Sequence, residues 1–129
     1  MKRPSRFRAH KAARGRWVVA HRGWSSVYPE NTMRAFSEAL DLGVDALELD
    51  VHLTSDGKAV VIHDRLLDRT TDMTGAIVDM SLSQIRAADA GIRKGDEFAG
   101  ERVPTLREVL DLAKDRAAVM VEMKPAEEG

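Results

Sequence analysis

Two histidines, three carboxylates, an arginine and a lysine stand at the ends of short apolar runs in this 129-residue sequence. His21-Arg22 closes the run Trp17 to Ala20. Glu48 and Asp50 punctuate Ala46 to Thr54, His63-Asp64 follows Ala59 to Ile62, and Glu122 and Lys124 lie in Ala118 to Pro125. Carboxylates at i and i+2 on a strand point the same way and repel, so a cation, a shared proton or open water has to relieve them. Oxygen ligands beside imidazole, with no cysteine, suggest a hard divalent ion, Mg²⁺ or Ca²⁺, rather than structural zinc. Taken alone, Glu48 and Asp50 are better read as a solvated strand face, because charged faces on hairpins are common. Three separate segments delivering two imidazoles, three carboxylates and two cations to one rim outweigh that bland reading.

Those side chains need a scaffold, and its centre is Ala46 to Asp64. Leu47, Leu49, Val51 and Leu53 alternate with Glu48, Asp50, His52 and Thr54, the period of a strand with one apolar and one polar face. Asp56-Gly57 suggests a type I′ turn. With Ser55 opposite Lys58, the register sets Val51 against Ile62, Leu53 against Val60 and Asp50 against His63, which clusters Glu48, Asp50 and His63 on one surface. Upstream, Trp17 to Ala20 reads as a buried strand, and Asn31 or Thr32 caps a helix running to about Leu42, with Gly43 as its stop. Strand, helix, strand is a βαβ unit and implies a parallel sheet. Downstream come a weak strand at Ala76 to Val78 and a helix capped by Ser81 and Gln84 that stops near Gly91, with Met80 set to staple against Ile85. A helix capped by Thr105 and Glu108 follows, with Leu106, Val109, Leu110 and Ala113 facing inward, and then a strand from Ala118 to Pro125. Parallel α/β architectures hold their active sites at the C-terminal strand ends, where the polar groups fall here.

The bulk properties fit a single soluble domain: 43% hydrophobic and 32% charged residues, with net charge −1. The absence of cysteine excludes a disulfide framework, a thiolate metal site and a cysteine nucleophile. It fits a reducing compartment, and with no signal-peptide core and no apolar run near 18 residues the expected location is cytoplasmic, with no membrane span. Residues 1–16 carry seven Lys or Arg and no acid. They are expected to form a disordered basic extension to a domain spanning 17–129. Nucleic-acid binding through this arm ranks last among the readings, since only Phe7 and Trp17 are interleaved with its charges. His10, within it, is given no role.

His21-Arg22-Gly23, Pro29-Glu30-Asn31-Thr32, Glu48-Leu49-Asp50-Val51, Thr54-Ser55-Asp56-Gly57, His63-Asp64, Arg69-Thr70-Thr71, Val103-Pro104-Thr105-Leu106 and Glu122-Met123-Lys124 resemble, in order and spacing, the glycerophosphodiester phosphodiesterase family. The resemblance runs from Val18 to Pro125. It implies an α/β fold of the (β/α)₈ TIM-barrel type and hydrolysis of a small glycerophosphodiester to glycerol 3-phosphate and an alcohol, with Mg²⁺ or Ca²⁺. It makes Glu48, Asp50 and Glu122 the metal ligands, His21 and His63 the acid/base pair, and Arg22 and Lys124 the groups near the phosphate. His52 matches no family role and is read as a hydrogen-bonded structural residue. A (β/α)₈ barrel needs about 200 residues or more, so only about the first half of the domain is expected. Two alternatives follow: a truncated, catalytically silent fragment that acts only by association, or two copies closing one barrel as a homodimer through their open edges.

Overall fold

The computed structural model describes residues 15–125. The expected basic extension therefore lies outside the described residues, apart from Gly15 and Arg16. The described residues form four strands and three α-helices: β1 (Val19–His21), α1 (Met33–Leu42), β2 (Ala46–Leu53), β3 (Ala59–Val61), α2 (Leu82–Ile85), α3 (Leu106–Ala113) and β4 (Ala118–Met123).

β2 is the axis of the sheet. It pairs in parallel with β1 along Ala46 to Glu48, antiparallel with β3 along Val51 to Leu53, and in parallel with β4 from Ala46 to Val51. A strand has two edges, and β4 overlaps both of the other pairings. It therefore takes one edge while β1 and β3 share the other, end to end. The successive parallel strands are thus β1, β2 and β4, connected through helices, as in the opening of a (β/α)₈ barrel.

Alternation along β2 sorts its residues between two environments. Leu47, Leu49 and Val51 are fully buried with Phe36, Ala39 and Leu40 of α1 and Val109 and Ala113 of α3. Glu48, Asp50 and His52 take the opposite face. α1 forms because Thr32, in extended conformation, accepts the Ala35 N–H, while Gly43 at φ 84° turns the chain out and donates to Ala39 and Leu40. Capping boxes start α2 at Ser81 with Gln84 and α3 at Thr105 with Glu108. A second apolar cluster of Val60, Ile62, Leu67, Ile77, Ile85, Ala88, Ala90 and Val103 holds the long segment between β3 and α3, with Met80 packed against it.

Several expectations are corrected. The hairpin register is shifted by one: Val51 faces Val61, His52 faces Val60 and Leu53 faces Ala59. Asp56 is not in the left-handed region and Gly57 is, at φ 77°. The connection is accordingly a turn closed by the Gly57 N–H to the Thr54 carbonyl, and the Thr54 N–H donates to the Lys58 carbonyl. Asp56 is committed elsewhere: it accepts from the Thr54 hydroxyl and from the Leu82 N–H that opens α2. Val60 consequently joins the second apolar cluster instead of opposing Leu53. Ala76 to Val78 is not a strand, since Ile77–Asp79 is a single 3₁₀ turn and only Ala76 bridges to Leu66. α2 ends at Ile85, well short of Gly91. Leu110 is 43% exposed and does not face the core. The strand at Trp17 to Ala20 is not buried either: Val18 and Val19 are exposed, because among the described residues β1 has a neighbour on one edge only.

Candidate functional site

The parallel register brings the acidic residues together. β2 and β4 set Asp50 opposite Glu122, and β1 sets His21 opposite Glu48. One carboxylate oxygen each from Glu48, Asp50 and Glu122 lies within 4.8 Å of the others. Asp50 is buried, Glu48 is half-buried and Glu122 is exposed at the rim. Burial and the Asp50 charge together push the Glu48 carboxyl up from its ordinary range.

Around these acids stand the cations. His21 Nε2 lies 3.2 Å from Glu48 Oε2. Arg22 Nε is 3.5 Å from Asp50 Oδ2, and the Arg22 N–H donates to the Glu48 carbonyl at 2.8 Å. Lys124 Nζ donates to Glu122 Oε1 at 2.8 Å and sits 3.9 Å from Asp50 Oδ1. This lysine first, then a hydrogen bond with Asp50 and last His63, hold the Glu122 carboxyl below its usual range.

The turn after β1 explains how His21 and Arg22 reach this rim. Arg22 and Gly23 are both left-handed, at φ 58° and 79°. A Cβ on Gly23 would sit 2.8 Å from the backbone of Ala35 in α1, so glycine alone permits that approach. Asn31, also left-handed, donates its own N–H back to the Arg22 carbonyl at 2.9 Å.

His63 arrives differently from the sequence reading. β3 ends at Val61, the Ile62 N–H donates to the Asp50 carbonyl, and His63 lies one residue past the ladder, so it is not paired with Asp50. Its ring is held instead by Asp64, with Nδ1 to Oδ1 at 2.9 Å, while its carbonyl meets His52 Nε2 at 2.9 Å. His52 is 3% exposed and makes that contact from inside the fold.

Four residues given no role in the sequence reading complete the arrangement. Asn31 is buried and donates Nδ2 to Asp50 Oδ2 at 3.1 Å. Arg69 grips Asp64 with Nε at 2.8 Å, and grips Glu30 with NH1 at 2.8 Å and NH2 at 3.1 Å. Glu30 also accepts from Arg22 NH1 at 3.2 Å. A continuous chain of charge-assisted contacts thus joins His63 to Asp50 through Asp64, Arg69, Glu30 and Arg22. Burial pushes the Glu30 carboxyl up, but Arg69 and Arg22 outweigh it and hold it below its usual range. The Arg69 contacts bring Asp64 down to about 2, with His63 adding to the effect. Pro29-Glu30-Asn31-Thr32 and Arg69-Thr70-Thr71 stood out in the sequence as motifs, yet nothing there tied Glu30 to Arg69, which is 39 residues away.

Three hard oxygen donors converging from two strands, β2 and β4, fit a divalent ion chemically. Glu48 Oε2 is buried without a hydrogen bond, 3.2 Å from the His21 ring.

Fold and site define a (β/α)-barrel protein with an acidic rim flanked by imidazoles. The model of the glycerophosphoryl diester phosphodiesterase family matches residues 21–128, and the chain belongs to that family. A glycerophosphodiester phosphodiesterase of Caldanaerobacter subterraneus is 54% identical over 99 residues, covering 77% of this chain and 41% of the relative. Among solved structures, the Agrobacterium tumefaciens glycerophosphodiester phosphodiesterase superposes with a TM-score of 0.81 at 44% identity, covering 84% of this chain and 47% of that one. An Oleispira antarctica phosphodiesterase, in complex with the product sn-glycerol-3-phosphate, gives 0.83 at 39% identity, covering 87% and 46%. The chain therefore spans less than half the length of the relatives it matches, and the fold is about half of their barrel.

Proposed function

We propose that this chain carries the ion-binding and proton-transfer half of a glycerophosphodiester hydrolase, which releases glycerol 3-phosphate and an alcohol. The convergence of Glu48, Asp50 and Glu122 from β2 and β4 is the observation that carries the reading. These three residues would hold the divalent ion, Mg²⁺ or Ca²⁺, which supplies charge neutralisation for a phosphodiester that otherwise repels its attacker. Arg22 and Lys124 flank the acids and would meet the phosphate oxygens as charge develops on them. His21 lies against Glu48 and His63 is held by Asp64; one would take a proton from the attacking hydroxyl and the other give one to the leaving alkoxide. Asp64 fixes His63 through Nδ1, which leaves Nε2 to face the substrate.

The test is release of glycerol 3-phosphate from glycerophosphocholine with added Mg²⁺ or Ca²⁺. His21→Ala and His63→Ala should each lower turnover by about 10²- to 10⁴-fold, the usual worth of a general acid or base. Turnover equal to wild type in both variants would contradict the assignment.

A second reading concerns assembly. β1 and β4 each pair on one side only among the described residues, and Val18, Val19, Met120, Val121 and Met123 are exposed beside those edges. Such edges favour pairing with a second chain, as a homodimer.

A further inference from the structure

An open cleft of about 250 Å³ is bounded by Ser25, Pro29, Glu30, Arg69, Arg93 and Lys94 among others. Glu30 links it to the site: its carboxylate accepts from Arg22, which reaches Asp50, and the same residue lines the cleft. A diester whose phosphate lies at Arg22 can thus extend one arm into this space. The charges lining it are unequal. Glu30 is neutralised by Arg69 and Arg22, and Arg69 is committed to Glu30 and Asp64. Arg93 is tethered only by Nε to the Thr71 carbonyl and Lys94 only by Nζ to the Ser25 carbonyl. Among the described residues, neither has a carboxylate within ion-pair distance. Asp89, which is close in sequence, spends its oxygens on the backbone N–H groups of Gly91, Ile92 and Gly100. Among the described residues, no aromatic ring lines the cleft. The nearby Tyr28 and Phe98 stack edge-to-face on each other and under Arg34. A quaternary ammonium therefore finds no ring face there, whereas an anion finds two cations anchored by backbone carbonyls.

Resting on the phosphodiesterase reading, we propose that this cleft receives the alcohol moiety of the diester and selects an alcohol bearing its own anionic group over a cationic one. Arg93 and Lys94 are the specificity-determining residues, each retaining donors that can meet a second phosphate or a carboxylate.

The test compares glycerophosphoinositol 4-phosphate with glycerophosphocholine at low ionic strength, using kcat/KM with divalent ion and calorimetric affinity in EDTA, where no turnover occurs. Wild type should favour the anionic diester by about tenfold or more in both, the size of one charge-assisted hydrogen bond. Arg93→Gln with Lys94→Gln should bring both ratios near one, and Arg93→Glu with Lys94→Glu should reverse them. Equal affinities in wild type, a choline preference, or a preference that survives the double Gln variant would overturn the proposal. Hydrolysis of neither diester would sink the phosphodiesterase reading, and the affinities would still decide the cleft.

Discussion

Asp64 and Arg69 are where a single atom's placement matters most. Asp64 touches His63 and Arg69 touches Asp64, so under the proposed function they would act on catalysis through the orientation of an imidazole. Asp64→Asn removes the charge but keeps the shape, and should lower kcat by roughly ten- to a hundredfold with little change in KM, the range for residues that orient a working imidazole. Arg69→Lys keeps the charge and loses the fork that spans Asp64 and Glu30, so it should show a similar loss. Equal kcat in either variant would leave the ring positioned by something else. The pH dependence has a definite sign. Asp64 is held at about 2 in the folded chain, below its ordinary 3.8. A depressed carboxyl stabilises the fold above its unfolded value and ceases to do so as pH falls through the folded one. The stability difference between wild type and Asp64→Asn should therefore shrink between about pH 4 and pH 2, as read by denaturant titration. Because the carboxylate is partly exposed, solvent screening keeps that difference small.

At the scale of elements, the site depends on α1 sitting hard against the turn after β1. Gly23→Ala puts a methyl into the backbone of Ala35 at a left-handed φ, and should both destabilise the chain and displace His21. Phe36→Ala, at the centre of the larger apolar cluster, should cost about 3–5 kcal/mol without touching the rim. Thermal melts with and without divalent ion separate the two: Phe36→Ala should retain an ion-induced rise in Tm if the chain stays folded, and Gly23→Ala should lose part of it. Most of these elements are legible in the sequence because local chemistry dictates them. Thr32 and Gly43 bound α1, Ser81 and Thr105 start α2 and α3, and the alternation from Ala46 to Leu53 is a strand wherever it is placed. What local chemistry leaves undecided depends on distant partners. The hairpin register turns on Asp56, which answers to Leu82, 26 residues away. Leu110 looks inward by spacing, yet nothing covers that face of α3 among the described residues. The seven candidate residues of the proposed site could be picked out by type and spacing. The clamp of Arg69 on Glu30 could not, since no periodicity encodes a contact between two loops.

Among the described residues the molecule is a mixed sheet, parallel except for β3, in which β1 and β4 each pair on one side only, and it matches under half of its relatives' length. Light scattering on the purified chain should give the mass of a dimer, and a monodisperse monomer at high concentration would show that these edges tolerate water. Raising the salt should not dissociate such a dimer, because backbone pairing and apolar burial are weakly screened. The deepest dependence is on the proposed ion site, since the acidic ends of β2 and β4 have a common functional purpose only if their carboxylates share a ligand. Calorimetric titration of the chain with Ca²⁺, repeated on Asp50→Asn and Glu122→Gln, measures that directly. One ion bound per chain, with binding abolished in the first variant and weakened in the second, is the expected result. Ca²⁺ binding that is absent in wild type, or unaltered by both substitutions, would contradict it.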